Sequence, residues 1–188
     1  MMTAKRCSWC ERDALYRAYH DEEWGRPIHD DRRLFELLVL ESFQAGLSWY
    51  TILAKREGFR AAFDGFDYRL IAAYDDAKVE ALMQDTRIVR NRRKILATIQ
   101  NAALFMEIQQ EFGSFSEFIW AFVGGSPCVN HPRKLEDVPA STPTSDAVAT
   151  ELKRRGFKFI GTTVAYAFMQ SVGLVNDHIE DCAFKYPD

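Results

Sequence analysis

Residues 30–50 read DDRRLFELLVLESFQAGLSWY, and the spacing of their apolar positions decides the fold class. Leu34, Leu37, Leu38 and Glu41 recur at i, i+3, i+4 and i+7, one face of a 3.6-residue helix, with Asp30 and Asp31 placed to cap its start. Glu41 therefore points where leucines point. A carboxylate there loses hydration, which raises its pKa or forces a hydrogen-bonding or cationic partner on it. It is either a structural acid satisfied by backbone N–H groups or an arginine, or a functional one. Ala45-Gly46-Leu47-Ser48 then breaks the helix, and Ser48 caps the next, WYTILAKRE, which is expected to end near Glu57-Gly58. A buried acid, a glycine turn and Trp49 at a helix start would make one wall of a pocket.

Outward from this stretch the chain reads as a succession of short helices. Leu15, Tyr16 and Tyr19 share a face before the polar turn His20 to Gly25, and Asp67 caps a segment carrying Leu70, Ile71 and Tyr74. Asp75 and Asp76 begin another with Val79, Leu82 and Met83. Ile95, Ile99, Ala102, Ala103 and Met106, then Phe115, Phe118, Ile119 and Phe122, continue the helical spacing. Residues 124–144 hold four of the six prolines and form the one long irregular connection, a hinge, a lobe boundary or a surface wrap. Beyond it, Val148 and Leu152 mark a helix closed by Gly156, and Val164, Ala165, Phe168, Met169 and Val172 another closed by Gly173. No alternation is long enough to require a sheet. The fold class is all-α.

With 188 residues, 47% of them hydrophobic and 13% aromatic, the chain can bury a core in one domain or in two small lobes sharing an interface. Charges occupy the N-terminus where a signal peptide needs an apolar region, and no apolar run approaches the ~18 residues of a membrane span. The expected location is the cytoplasm, with no membrane partner. Four cysteines in such a chain point to thiols or metal ligands rather than disulfides.

A net charge of −3 decides nothing about nucleic acid, so clustering must. Arg87 to Lys94, RIVRNRRK, carries Arg87, Arg90, Arg92, Arg93 and Lys94 in a turn between helices, where charge and free backbone amides can hold phosphate together. Lys153 to Lys158, KRRGFK, precedes a second helix start. Either turn alone reads as a solvated helix end, whereas the pair favours a polyanion. At the chain ends, Cys7 and His20 can combine with His178 and Cys182, whose i, i+4 spacing suits one helical face, into a Cys2His2 zinc site. Cys7-Ser-Trp-Cys10 could instead supply two ligands by itself. A site closed by four protein ligands leaves no open position for hydrolysis, so a zinc ion there would be structural.

The segments Arg6-Cys7-x-Trp9, Tyr19 to Gly25, Leu40-Glu41, Gln44 to Trp49, Ile88 to Arg92, Arg155 to Thr163 and Gly173 to His178 together closely resemble bacterial DNA-3-methyladenine glycosylase I over nearly the whole chain. The resemblance implies an all-α, helix-hairpin-helix enzyme of base-excision repair that removes 3-methyladenine from double-stranded alkylated DNA and releases the free base. It implies one domain over residues 1–188, or a hairpin lobe over about 30–125 with the terminal segments forming a zinc-stapled lobe. It assigns structural Zn2+ to Cys7, His20, His178 and Cys182, leaving Cys10 outside. It places Glu41 in a base pocket with Trp9, Tyr16, Tyr19, Trp24 and Trp49, and makes Leu47 the plug that fills the space of the extruded nucleotide. Arg87, Arg90, Arg92, Arg93, Lys94 and Lys158 become DNA contacts. Related enzymes of this fold use an aspartate near the hairpin helix, which this family lacks. Thr86-Arg87 stands where many members carry a small residue and glycine; if that glycine needs positive φ, arginine there is strained or the turn is reshaped.

These roles agree with the chemistry. N3-methylated adenine is cationic, so electron-rich rings and a carboxylate both attract it, while unmodified adenine brings neither the charge nor the methyl group. The same charge makes the base a good leaving group, and neither a lysine nucleophile nor a lyase step is called for. The expected protein is a monomer. The rival reading is a zinc-stabilised, non-catalytic module for damaged DNA, which would dispense with Glu41.

Overall fold

The computed structural model describes residues 4–186. Its elements are α1 (Ala14–Glu22), α2 (Asp31–Gln44), α3 (Trp49–Ala54), α4 (Arg56–Ala62), α5 (Tyr68–Ile71), α6 (Asp76–Gln84), α7 (Arg92–Phe112), α8 (Phe115–Trp120), α9 (Pro143–Arg154) and α10 (Thr162–Ser171). Two-residue strands β1 (Cys128–Val129) and β2 (Val175–Asn176) pair in parallel. Among the described residues the fold is all-α apart from this bridge, which the sequence pattern did not foretell.

Asp30, Ser48, Asp67 and Asp75, all anticipated as caps, each accept a backbone N–H from the first turn of the helix they precede, and Ser114, which was not, does the same for α8. Asp31 works across the fold: its carboxylate accepts the N–H groups of Phe115 and Ser116 at the start of α8 and a bond from Gln109. α2 is the central element. Every residue from Leu34 to Phe43 is buried, and α3, α7, α8 and α10 all pack on it. Two acids share that burial but not an environment: Glu36 is held by Arg60, with Nε to Oε1 at 2.9 Å, whereas Glu41 faces no cation. Buried apolar residues from Leu34 to Val175 make one contiguous cluster; Cys7, Cys10, Tyr19 and Cys182 are buried outside it, where the chain ends meet.

Two sequence expectations change. The helix expected to end near Gly58 stops at Ala54, and α4 runs through Gly58. A Cβ at Gly58 would lie 2.6 Å from the carbonyl oxygen of Arg87, so the glycine is there to let the 85–91 connection lie against α4, not to end a helix. His178 and Cys182 do not share a helical face, because the chain after β2 turns without forming a helix. The proline-rich connection is a surface wrap. β1 ties it to β2, and the Asn130 amide donates to Asp177 at 2.7 Å.

Candidate base-binding site

α1, α2, α3 and α10 converge on a cavity of about 430 Å3. Trp9, Tyr16, Tyr19, Trp24, Glu41 and Trp49 all line it, so the rings and the acid gathered by the sequence reading stand together. The rings support one another: Trp9 lies edge-on to Tyr16 at 4.9 Å and to Trp24 at 5.0 Å, and Tyr19 is tilted against Trp49 at 5.4 Å. The Trp49 indole N–H is buried without a partner among the described residues, a donor left for a ligand acceptor.

Glu41 is 3% exposed. Burial pushes its carboxyl up to about 8, with the Ser171 hydroxyl pulling the other way. Burial likewise raises Tyr16 and Tyr19, and Glu41 adds to both shifts. Near neutrality the cavity thus presents electron-rich rings, phenolic hydroxyls and a carboxyl group that a positive guest would ionise.

The sequence reading missed part of the lining. Leu135, Val138 and Pro139 of the surface wrap close one side, α10 adds Tyr166 and Gln170, and Asp177 enters just after β2. Asp177 is a second buried acid, but it is saturated: Tyr166 donates at 2.6 Å, Gln170 at 2.8 Å and Asn130 at 2.7 Å. No periodicity could have brought the wrap here. A hint of Asp177 existed in its place beside His178.

Behind the rings, Cys7, His20 and Cys182 place their ligand atoms within 4.8 Å of one another, all buried. His20 Nε2 stands 3.6 Å from Cys182 Sγ, while its Nδ1 is held by Asp21 at 2.7 Å. His178 is buried beside them, its ring 4.7 Å from that of His20 and its Nδ1 on Asn176, although its nitrogens fall outside the three-residue group. The Cys7 and Cys182 sulfurs lie close together, and their interaction lowers Cys182 and raises Cys7. Cys10 spends its thiol on the Cys7 carbonyl and stands apart.

Leu47 is 41% exposed on the turn after α2, where Gly46 takes a φ of +83°. The connection between α6 and α7 carries Arg87 and Arg90, both exposed; Arg87 pairs with Asp85 and has no positive φ, so the expected strain is absent. Arg92 pairs with Glu80, and Arg93 is exposed. The second basic turn meets the first: Arg93 and Lys158 line one groove, with the Arg93 guanidinium 5.8 Å over Phe159. Lys94 departs from expectation. It is 6% exposed, and its ammonium donates to the carbonyls of Phe43 at 2.8 Å and Ala45 at 3.0 Å, so it closes the C-terminal end of α2 rather than facing phosphate.

A helical protein with a ring-lined cavity around a buried acid, and basic turns on its surface, is built to hold a flat, electron-poor guest at the edge of a polyanion. Residues 9–186 match the family described as methyladenine glycosylase. DNA-3-methyladenine glycosylase 1 of Escherichia coli is 49% identical over 178 residues, 95% of each chain, and DNA-3-methyladenine glycosylase of Haemophilus influenzae is 46% identical over 180, covering 96% of this chain and 97% of its own. A crystal structure of 3-methyladenine DNA glycosylase I superposes with a TM-score of 0.92 at 52% identity, covering 95% of this chain and 98% of that one. A Staphylococcus aureus structure addressing 3-methyladenine recognition gives 0.94 at 36% identity, covering 97% of each. The chain belongs to the methyladenine glycosylase family.

Proposed function

We propose that the chain is a DNA-3-methyladenine glycosylase of base-excision repair, which flips the lesion out of double-stranded DNA and hydrolyses its N-glycosidic bond. The observation that carries this reading is a carboxyl without a cationic partner, Glu41, in the wall of an aromatic cavity.

A base within the duplex is out of reach, so it must be extruded at a cost of a few kcal/mol, which damage reduces. Stacking on aromatic faces returns about 1–3 kcal/mol per base. Leu47, exposed on its turn, is suited to fill the vacated stack. Positive charge on the guest converts the Glu41 carboxyl to carboxylate, which then orients the base by a charge-assisted hydrogen bond. The cationic base leaves as the neutral free base without protonation, and water captures the sugar cation and loses its proton to solvent. Recognition and orientation of the base are the main work of Glu41, with stabilisation of the sugar cation or of the attacking water secondary. No lysine lines the cavity among the described residues, in keeping with a monofunctional enzyme without a lyase step.

α6, the 85–91 connection and α7 would serve as the helix-hairpin-helix element, with Arg87, Arg90, Arg92, Arg93 and Lys158 on the phosphates. Cys7, His20, His178 and Cys182 would hold structural Zn2+. The Cys7 and Cys182 sulfurs and a His20 nitrogen already stand within 4.8 Å of one another, and both imidazoles have Nδ1 fixed by an oxygen acceptor. Zinc would supply cross-linking of the chain ends and no chemistry on the substrate. A single domain acting as a monomer in the bacterial cytoplasm completes the proposal.

The test is release of free 3-methyladenine from methylated duplex DNA, resolved by chromatography, for wild type and Glu41→Gln. Release that falls sharply in the variant supports the reading. Absence of release from both, with duplex binding intact, would replace it with a non-catalytic damaged-DNA-binding module.

A further inference from the structure

Against the outer wall of the cavity an arginine is held outside any ion pair among the described residues. The Arg12 guanidinium lies over the Tyr50 ring, 3.7 Å from its centroid, and Tyr50 in turn leans on Tyr16 of the cavity wall at 5.4 Å. Arg12 is exposed and forms no ion pair with any described residue. Its neighbour Asp13 attracts it through space but gives its oxygens to other donors: one accepts the Tyr16 N–H at 3.0 Å as the cap of α1, and the other accepts the Tyr50 hydroxyl. Glu11 is exposed nearby and makes no salt bridge to Arg12; its carbonyl takes a bond from Arg17.

This arrangement orders the side chain and leaves its guanidinium donors without a hydrogen-bond partner among the described residues. A guanidinium stacked face-on keeps its edge donors free, and the planar fork suits two oxygens of one phosphate. The rotamer entropy that a free arginine loses on binding has already been lost in the stack.

The position has a meaning too. Tyr50 is three residues beyond Leu47, at the start of α3, and its ring is one layer outside the cavity. A nucleotide whose base enters this cavity must leave its sugar and phosphates at the mouth. We infer that Arg12, laid over Tyr50, grips a backbone phosphate flanking the extruded nucleotide, on the side of the cavity formed by α1 and α3. This contact rests on the proposed glycosylase reading and adds to it a phosphate anchor separate from the 85–91 connection. The anchor would hold the strand while the base is still outside the stack.

The experiment is a fluorescence-anisotropy titration of a duplex bearing a tetrahydrofuran abasic analogue, at salt from about 50 to 200 mM. Wild type is compared with Arg12→Ala, Arg12→Lys and Tyr50→Leu, each verified by thermal melting. Arg12→Ala is expected to bind about 3- to 10-fold more weakly, with the slope of log K against log salt reduced by about one. Arg12→Lys should keep the slope, and Tyr50→Leu should keep charge but lose part of the affinity. Unchanged affinity and slope in Arg12→Ala would overturn the inference and reduce Arg12 to a cover for Tyr50, as would activity lost without a change in slope. Failure of the glycosylase reading shows separately, as no release of 3-methyladenine by wild type, while the slopes still judge Arg12.

Discussion

The Trp24 ring packs edge-on against the imidazole of His178, centroids 4.7 Å apart, and on its other side meets Trp9 at 5.0 Å. Trp9 in turn touches His20 at 5.3 Å. Two rings of the base cavity therefore rest on the cysteine and histidine cluster. Removing the Zn2+ proposed for that cluster should cost more than stability. Demetallation, verified by elemental analysis, is expected to lower Tm and to abolish the change in tryptophan fluorescence on adding 3-methyladenine. Unaltered melting and binding in metal-free protein would sink the structural-zinc proposal.

The raised pKa of Glu41 also makes a pH prediction for the fold. Its folded value near 8 lies above its ordinary value of 4.5, so the native state keeps a proton that the unfolded chain releases. Its stabilising contribution is complete below about pH 4.5 and is lost as pH rises through 8. Glu41→Gln removes the ionisation. Urea melts should show the variant gaining on wild type from pH 5 to pH 8.5, by an amount on the order of 4 kcal/mol at full ionisation. A difference independent of pH would place the group's titration elsewhere.

Recognition of charge should follow the same titration. For 3,9-dimethyladeninium, a permanently cationic stand-in for the lesion base, only the Glu41 carboxylate is a favourable host. Its affinity should rise about 10-fold per pH unit below pH 8 and level off above it. A fluorescence titration across that range checks this, with Glu41→Gln as the flat control. A flat wild-type curve counts against Glu41 as the partner of the positive charge.

Lys94 offers a contrast with the exposed cations. Lys94→Met leaves the Phe43 and Ala45 carbonyls without their shared donor and should cost about 1–3 kcal/mol in denaturant melts. Because the ammonium does not face solvent, the salt slope for DNA should stay at the wild-type value, unlike that of Lys158→Ala. A slope reduced by about one in Lys94→Met would restore Lys94 to the phosphate surface.

The reach of the sequence follows from range. Local spacing is a property of neighbours in the chain, so the α2 face, its caps and the break at Gly46 were all readable, as was Glu41 among leucines. Gly58 misled because its cause is Arg87, distant in sequence and adjacent in space. Lys94 misled likewise: composition counts a charge, but only packing shows that α2's last carbonyls have claimed it. The wrap's part in the cavity depends on β1 meeting β2, a pairing of two residues a side that leaves no periodic trace. Arg12 and Tyr50, far apart in the chain, looked like ordinary surface residues until α1 and α3 brought them face to face.

The Lys94 tie also has a mechanical side. Lys94 lies in the first turn of α7, directly after the basic connection, and grips the backbone on which the Leu47 turn begins. With the roles proposed for the connection and for Leu47, the part that would ride on phosphate and the part that would press into the stack are tied into one piece. A protein scanning DNA in this way carries its probe at a constant height above the bases, and a weakened pair yields to pressure already being applied at every step.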